Sequence, residues 1–186
     1  MQVVLVAGWS QAGKDTIGGF LSANHGFKRY AFADAVKDAA AKRYGFDRAL
    51  ADTQTGKESV VEPKNFLMPA GRTVRQWVEY HAEERKRVEG ADCWAASLAA
   101  ALLGRSIRPS KVVITDWRFP EELVALQRLL PADTAFFPVR AVRTGQRVSP
   151  VASMTEYALS GFPMPQFDAL AGQAALLQYL GLSGAA

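Results

Sequence analysis

Val3-Val4-Leu5-Val6-Ala7-Gly8-Trp9-Ser10-Gln11-Ala12-Gly13-Lys14-Asp15-Thr16 is the stretch that decides the reading of this chain. An apolar run of β type leads into a loop framed by two glycines, and the loop leads into the apolar segment Ile17 to Leu21. That order predicts strand, glycine loop, helix. Gly8 and Gly13 frame four residues and Lys14 follows at once, which is the spacing of a P-loop. Glycines let the backbone fold into a nest of inward-facing N–H groups. The next helix adds the partial positive charge of its N-terminus. Gly8, Ser10, Gln11, Ala12, Gly13, Lys14, Asp15 and Thr16 are therefore the expected ATP-binding residues, with Lys14 reaching the β- and γ-phosphates. The strict pattern has Ser or Thr directly after the lysine as a Mg²⁺ ligand. Here Asp15 stands there and Thr16 comes one place later. Asp15 can serve Mg²⁺ directly or through water, and Thr16 can donate to the α-phosphate.

The rest of the chain is read outward from that loop. A length of 186 residues suits one domain with a real core. The hydrophobic fraction of 49% is ordinary for a globular protein. No apolar run approaches a membrane span, so no membrane partner is expected. The chain opens directly on a strand, so no signal peptide is expected. A single cysteine, Cys93, excludes an internal disulfide and fits a reducing, cytoplasmic setting. With only His25 and His81 beside it, a structural zinc site is not expected. The net charge of +4 permits polyanionic partners without requiring them.

Strands are predicted at Val3–Ala7, Lys28–Phe32, Lys111–Thr115 and Ala135–Val142, the last taken as the final clear strand. Helices are predicted at Thr16–Asn24, Ala35–Tyr44 with Asp34 as cap and Gly45 as stop, Arg72–Arg87, Cys93–Leu103, and Pro120–Leu130. Asp52–Ala70 reads as a mobile connection and Gly145–Ser153 as a loop. Thr155–Ser160 reads as a short helix, and Phe167–Leu180 as partly helical. Strands alternating with helices imply an α/β fold with a parallel sheet covered on both faces.

Four further constellations carry chemistry. Asp116 follows the buried-type run Val112-Val113-Ile114-Thr115. An acid at that strand end suits Mg²⁺ held through water, in the crevice where parallel sheets bind ligands. Arg118 can act on phosphate or pair with Glu122; the plainer alternatives are a helix cap for Asp116 and a surface ion pair for Arg118. Asp34, in Tyr30-Ala31-Phe32-Ala33-Asp34-Ala35-Val36-Lys37, can orient an acceptor or take a hydroxyl proton, with Lys37 on the same helix face; it can equally be a simple cap. Arg72, Arg75, Arg85 and Arg87 are candidates for gripping an acceptor phosphate. Trp94 and Trp77 are candidates for stacking on a base, or for core packing. Arg140, Arg143 and Arg147 surround Gly145, where a small lid could close over the phosphates.

Taken together these motifs resemble the phage-type deoxynucleoside monophosphate kinases of the P-loop kinase superfamily. The resemblance is carried by the Gly-Lys-Asp-Thr loop ending at Gly13–Thr16, by Phe32-Ala33-Asp34-Ala35-Val36-Lys37, and by Arg72-Thr73-Val74-Arg75-Gln76 with Arg85 and Trp94. Thr115-Asp116-Trp117-Arg118-Phe119-Pro120-Glu121-Glu122 carries it further, and Ser153-Met154-Thr155-Glu156 with Phe167-Asp168 does so more weakly. It implies a single three-layer α/β/α P-loop kinase domain over 1–186, with an acceptor-binding helical region at about 35–103 and a short lid at about 143–153. It implies ATP and Mg²⁺ as cofactors and transfer to a deoxynucleotide in a phage-infected cytoplasm. The catalytic set is then Lys14, Asp34, Asp116, Arg118 and Arg143. Arg147 joins the ATP site; Asp34, Lys37, Arg72, Arg75, Arg85, Arg87 and Trp94 form the acceptor site; Asp15, Thr16 and Asp116 serve the metal. The partner is a nucleotide or nucleobase acceptor, and a homodimer is compatible. His81-Ala82-Glu83 departs from the family, lying where a glycine-bearing turn is expected. Related kinases phosphorylate 5-hydroxymethyl pyrimidines such as 5-hydroxymethyluracil in phage DNA, which keeps DNA open as the acceptor. A non-kinase nucleotide-binding regulatory module is the reading from a different class.

Overall fold

The computed structural model describes residues 1–62, 71–145 and 158–182. The chain divides into two compact units, one made of Met1–Ala31 with Ala99–Ala186 and the other of Phe32–Leu98. The first unit is built on a five-stranded, all-parallel sheet: β1 (Gln2–Ala7), β2 (Lys28–Tyr30), β3 (Lys111–Ile114), β4 (Ala135–Val142) and β5 (Gln166–Asp168), in the order β2-β3-β1-β4-β5. Among the described residues, the helices of this unit are α1 (Lys14–His25), α6 (Pro120–Leu129) and α7 (Gln173–Tyr179), with the end of α5 (Cys93–Leu103).

β1 is the middle strand, and Val3, Val4, Leu5 and Val6 are all fully buried. Successive side chains on a strand point to opposite faces, so this continuous burial means that both faces of the sheet are covered. On one face, Val4, Val6, Val113, Val139 and Ala141 pack with Ile17 and Leu21 of α1 and Leu176 of α7. α1 approaches the sheet closely because Gly18 has no side chain: a Cβ there would lie 2.4 Å from Cγ2 of Thr115. β5 was not expected as a strand; Gln166–Asp168 is too short for a periodic pattern and pairs only because Arg140–Val142 lies beside it.

Among its described residues, the regular structure of the second unit is helical apart from an isolated bridge between Val60 and Thr73. It contains α2 (Phe32–Tyr44), a 3-10 turn (Arg48–Asp52), α3 (Gln54–Glu58), α4 (Val74–Glu89) and the start of α5. Tyr44 stacks on Trp77 with ring centroids 4.4 Å apart, tying α2 to α4. Thr73 caps α4 in a reciprocal box with Gln76. Three sequence expectations change here. β2 ends at Tyr30, because Phe32 and Ala33 already belong to α2 and Phe32 is buried. Asp34 consequently sits in the first turn of α2 and is not its cap. The stretch read as a mobile connection contains α3, whose cap Thr53 accepts from the N–H of Gly56; residues 63–70 of it lie outside the described residues. Residues 155–157 of the expected Thr155–Ser160 helix and 146–153 of the expected 143–153 lid also lie outside them, and residues 158–160 form a turn, not a helix.

Candidate phosphate-binding site

The loop between β1 and α1 has the backbone its glycines allow. Gly8 has φ 144° and Gly13 has φ 89°, both in the region costly for residues with a side chain, and Gln11 joins them at φ 62°. Space demands glycine as well. A Cβ on Gly8 would lie 2.6 Å from the carbonyl oxygen of Ala141, and one on Gly13 would lie 2.3 Å from Cβ of Ala169. Gly13 is the N-cap of α1, no side chain caps that helix, and its first turn faces the loop. Such a nest favours an anion. The ammonium of Lys14 donates to the carbonyls of Gly8 and Trp9, both at 2.8 Å, so the lysine arches over the loop.

Strand register brings other residues to the same edge. Leu5 pairs with Ile114, so Asp116, two residues beyond, follows the same edge as Ala7 and Gly8. Ala7 pairs with Arg140. Gly8, Trp9, Lys14, Trp117, Arg118 and Arg140 surround a cavity of about 20 Å³. Arg140 also donates to the carbonyl of Leu159. Gln11, Gly13, Lys14, Asp15, Thr16 and Arg143 line a second depression, of about 340 Å³. Asp15 is mostly exposed and pairs with Arg29 at 3.3 Å. Asp116 is half-buried and does not cap α6; Phe119 is the N-cap. Glu122, itself buried, accepts from the backbone N–H groups of Arg118 and Phe119 and so fixes the turn that carries Arg118. Among the described residues no group of three or more His, Cys, Asp or Glu is arranged to hold a metal. Of the residues expected to serve Mg²⁺, Asp15 and Thr16 line the second depression, and Asp116 follows the same sheet edge by register; carboxylate and hydroxyl oxygens are the donors such an ion takes.

Of the remaining expected residues, Asp34, Lys37, Arg72, Arg75, Arg85, Arg87 and Trp94 belong to the Phe32–Leu98 unit. Arg48 gathers three carboxylates: Asp38 at 2.6 Å, Asp52 at 2.7 Å and Asp34 at 3.6 Å. Lys37 pairs with Asp52 at 2.9 Å. The Arg48 guanidinium, and then Lys37, hold the Asp52 carboxyl down to about 2. Arg75 donates twice to Glu58, Arg85 pairs with Glu89, and Arg72 lies over Trp77 and Tyr80. Arg87 is exposed. Trp94 is a correction: it is only 3% exposed, donates to the carbonyl of Ala82, and has Arg85 at 4.6 Å from its ring centre. Trp77 is fully buried as well. Both rings are packing residues, because the unit is small and needs their area in its core. Arg147 and Ser153–Glu156 lie outside the described residues.

Asp168 had no role assigned from sequence. Its carboxylate accepts from the N–H groups of Leu170 and Ala171, each at 2.9 Å, from the N–H of Thr144 at 2.9 Å and from the Thr144 hydroxyl at 2.8 Å. Those backbone donors, Ala171 first, hold its carboxyl well below the usual carboxylate range. The legible signal was an aspartate ahead of small residues in Asp168-Ala169-Leu170-Ala171-Gly172, the makings of a side-chain turn.

No protein-family model and no curated protein sequence matches the chain. Among solved structures, it is similar to a sugar kinase from Janibacter sp. HTCC2649, at 14% identity and TM-score 0.49, over 100% of this chain and 97% of that one. It is also similar to a gluconokinase from Sinorhizobium meliloti 1021, at 17% identity and TM-score 0.42, over 98% and 97%.

Proposed function

We propose that this chain is an ATP-dependent phosphotransferase acting on a deoxynucleotide-type acceptor, a deoxynucleoside monophosphate in the first instance. The observation that carries the reading is the glycine loop with Lys14 arched over it at the carboxyl edge of a parallel sheet, with Arg118 and Arg140 lining one cavity beside it and Arg143 a second. The Mg²⁺ complex of ATP supplies the transferable phosphoryl group and the metal's charge. The chain's part is positioning and charge stabilisation, which is most of what phosphoryl transfer asks of a protein. The loop N–H groups cradle the phosphates, and Lys14 exchanges its loop carbonyls for phosphate oxygens. Arg118 and Arg143 balance charge developing on the transferred group. Asp116, Thr16 and Asp15 would hold the metal. In the helical unit, Arg72, Arg75, Arg85 and Arg87 are the acceptor's candidate anion contacts, and Asp34 and Lys37 are its further candidate contacts.

One observation favours a second reading. The Asp34 side chain is 42% exposed in the first turn of α2, with Arg48 at 3.6 Å as the loosest of that residue's three carboxylate contacts. A carboxylate so placed suits a hydroxyl acceptor, such as a 5-hydroxymethyl pyrimidine in DNA, whose proton must be taken. The test is incubation with labelled ATP and either mixed deoxynucleoside monophosphates or hydroxymethylated DNA. Labelled diphosphate is expected. Label on DNA with no diphosphate would replace the first reading by the second. Slow hydrolysis with neither acceptor labelled would leave a nucleotide-binding module.

A further inference from the structure

The carboxylate of Asp168 lies at the end of β5 and divides its oxygens between two tasks. Oδ1 accepts from the N–H groups of Leu170 and Ala171, each at 2.9 Å, and so shapes the turn that follows β5. Oδ2 accepts from the N–H of Thr144 at 2.9 Å and from its hydroxyl at 2.8 Å, and so reaches across to the exit of β4. Two neighbours of these contacts touch the phosphate loop. Ala169, next to Asp168, occupies the space into which a side chain on Gly13 would project. Arg143, next to Thr144, lines the same depression as Gln11, Gly13, Lys14, Asp15 and Thr16. The backbone hydrogen bonds from Ala169 to Val142 at 3.1 Å and from Gly172 to Asp168 at 2.9 Å complete the frame.

We propose that Asp168 is a positioning residue that fastens Arg143 beside the phosphate loop, acting through Thr144. This rests on the reading of the loop as a nucleotide-phosphate site. Arg143 is exposed at the end of a strand, on a long side chain that loses considerable rotamer freedom when it grips a ligand. Two charge-assisted hydrogen bonds on the very next residue fix the backbone from which it springs, so less ordering remains for the moment of binding. Leu170 and Ala171, on the other oxygen, keep the Ala169 wall against Gly13 in register with that anchor. The device aligns the Arg143 side of the site to the loop without itself touching phosphate.

The two oxygens can be separated experimentally. In Asp168→Asn, the amide oxygen still accepts from Leu170 and Ala171, while the amide nitrogen, a donor, faces the backbone N–H of Thr144, whose bond is lost, and the Thr144 hydroxyl, which must turn to accept. Thr144→Val removes the hydroxyl contact alone. The measurement is the dissociation constant of MgATP by calorimetry for the full chain, the variants Asp168→Asn, Thr144→Val, Arg143→Ala and Lys14→Ala, and the double variant Arg143→Ala/Asp168→Asn, with a thermal melt of each. Asp168→Asn is expected to weaken MgATP binding by about tenfold, and Thr144→Val by less. The double variant is expected to bind no more weakly than Arg143→Ala alone, since Asp168 acts through that arginine. Multiplicative losses in the double variant, or unchanged affinity in a folded Asp168→Asn, would overturn the proposal. If Asp168→Asn fails to fold, unchanged affinity in Thr144→Val decides against it. Lys14→Ala separates the two levels. If it both binds MgATP and turns over as the parent does, the phosphate-loop reading fails and this proposal with it. If Lys14→Ala loses binding while Asp168→Asn keeps it, only the role of Asp168 falls.

Discussion

Lys14 and Asp116 are the residues on which the chemistry turns. The ammonium of Lys14 rests on two carbonyls of its own loop, at 2.8 Å each, contacts that are local in the chain. Lys14→Ala is therefore expected to leave the melting temperature close to that of the parent and to lower turnover on the order of 10³-fold, the scale for losing one preorganised contact to developing charge. Initial rates beside a melting curve check this, and near-normal turnover in a folded variant would end the phosphate-loop assignment. Asp116 lies two residues beyond β3 and is not the cap of α6, which removes its plainest structural explanation. Asp116→Asn is expected to raise the Mg²⁺ concentration needed for half-maximal rate and to lower the maximal rate, read by titrating Mg²⁺ at fixed ATP. An unchanged titration would take the metal role away from it.

At the scale of elements, the packing of α1 on the sheet and the burial of α4 each make a prediction. Gly18 lets α1 close on β3, where an added Cβ would meet Cγ2 of Thr115 at 2.4 Å. Alanine is the better helix former, by about 1 kcal/mol. Gly18→Ala is nevertheless expected to destabilise by about 1–3 kcal/mol, because overpacking a filled interface costs more than propensity returns. Chemical denaturation measures this, and Thr115→Ser in the same chain should restore much of the loss by deleting the clashing methyl. On α4, His81 is 6% exposed beside Tyr44 and Trp94, and neither ring nitrogen has a hydrogen-bond partner among the described residues. Burial, and then the nearby Arg43, push its pKa below the ordinary 6.5, while Glu84 opposes them. A depressed folded value means that the stability held by neutral His81 is complete above about pH 6.5 and drains away as pH falls through the lower folded value. Melting temperature against pH should therefore decline on the acid side of about 6.5, and His81→Phe, which keeps an aromatic ring in place, should flatten that decline. An equal slope in parent and variant would show that His81 does not report on folding.

At the scale of the whole molecule, the open question is the acceptor, and ionic strength distinguishes the candidates. DNA binding releases counterions, so acceptor affinity for DNA would fall steeply between about 50 and 200 mM salt, whereas a small monophosphate gives a shallow slope. A shallow slope is expected from the first reading, and acceptor KM at several salt concentrations measures it; a steep slope would favour the hydroxymethylated-DNA reading. Charge alone does not decide the matter, since a net +4 suits either acceptor and the arginines of the helical unit are engaged unequally: Arg75 and Arg85 by glutamates, Arg72 by aromatic rings. What the sequence by itself determined was local. The glycine and lysine spacing from Gly8 to Lys14 specifies a loop conformation within a few residues, and apolar β-branched runs specify buried strands, so β1, β3, β4, the glycine loop and α5 could all be read directly. What only the tertiary structure decided was non-local. The order β2-β3-β1-β4-β5 brings Arg140 beside Ala7, and β5 exists as a strand only beside β4. Asp168 finds Thr144 across 24 residues of chain. Trp94 could have been platform or core on its sequence alone, and burial made it core. The physical reason is the same in each case: backbone propensity acts between near neighbours, whereas packing and hydrogen-bond pairing depend on which distant segments the fold brings together.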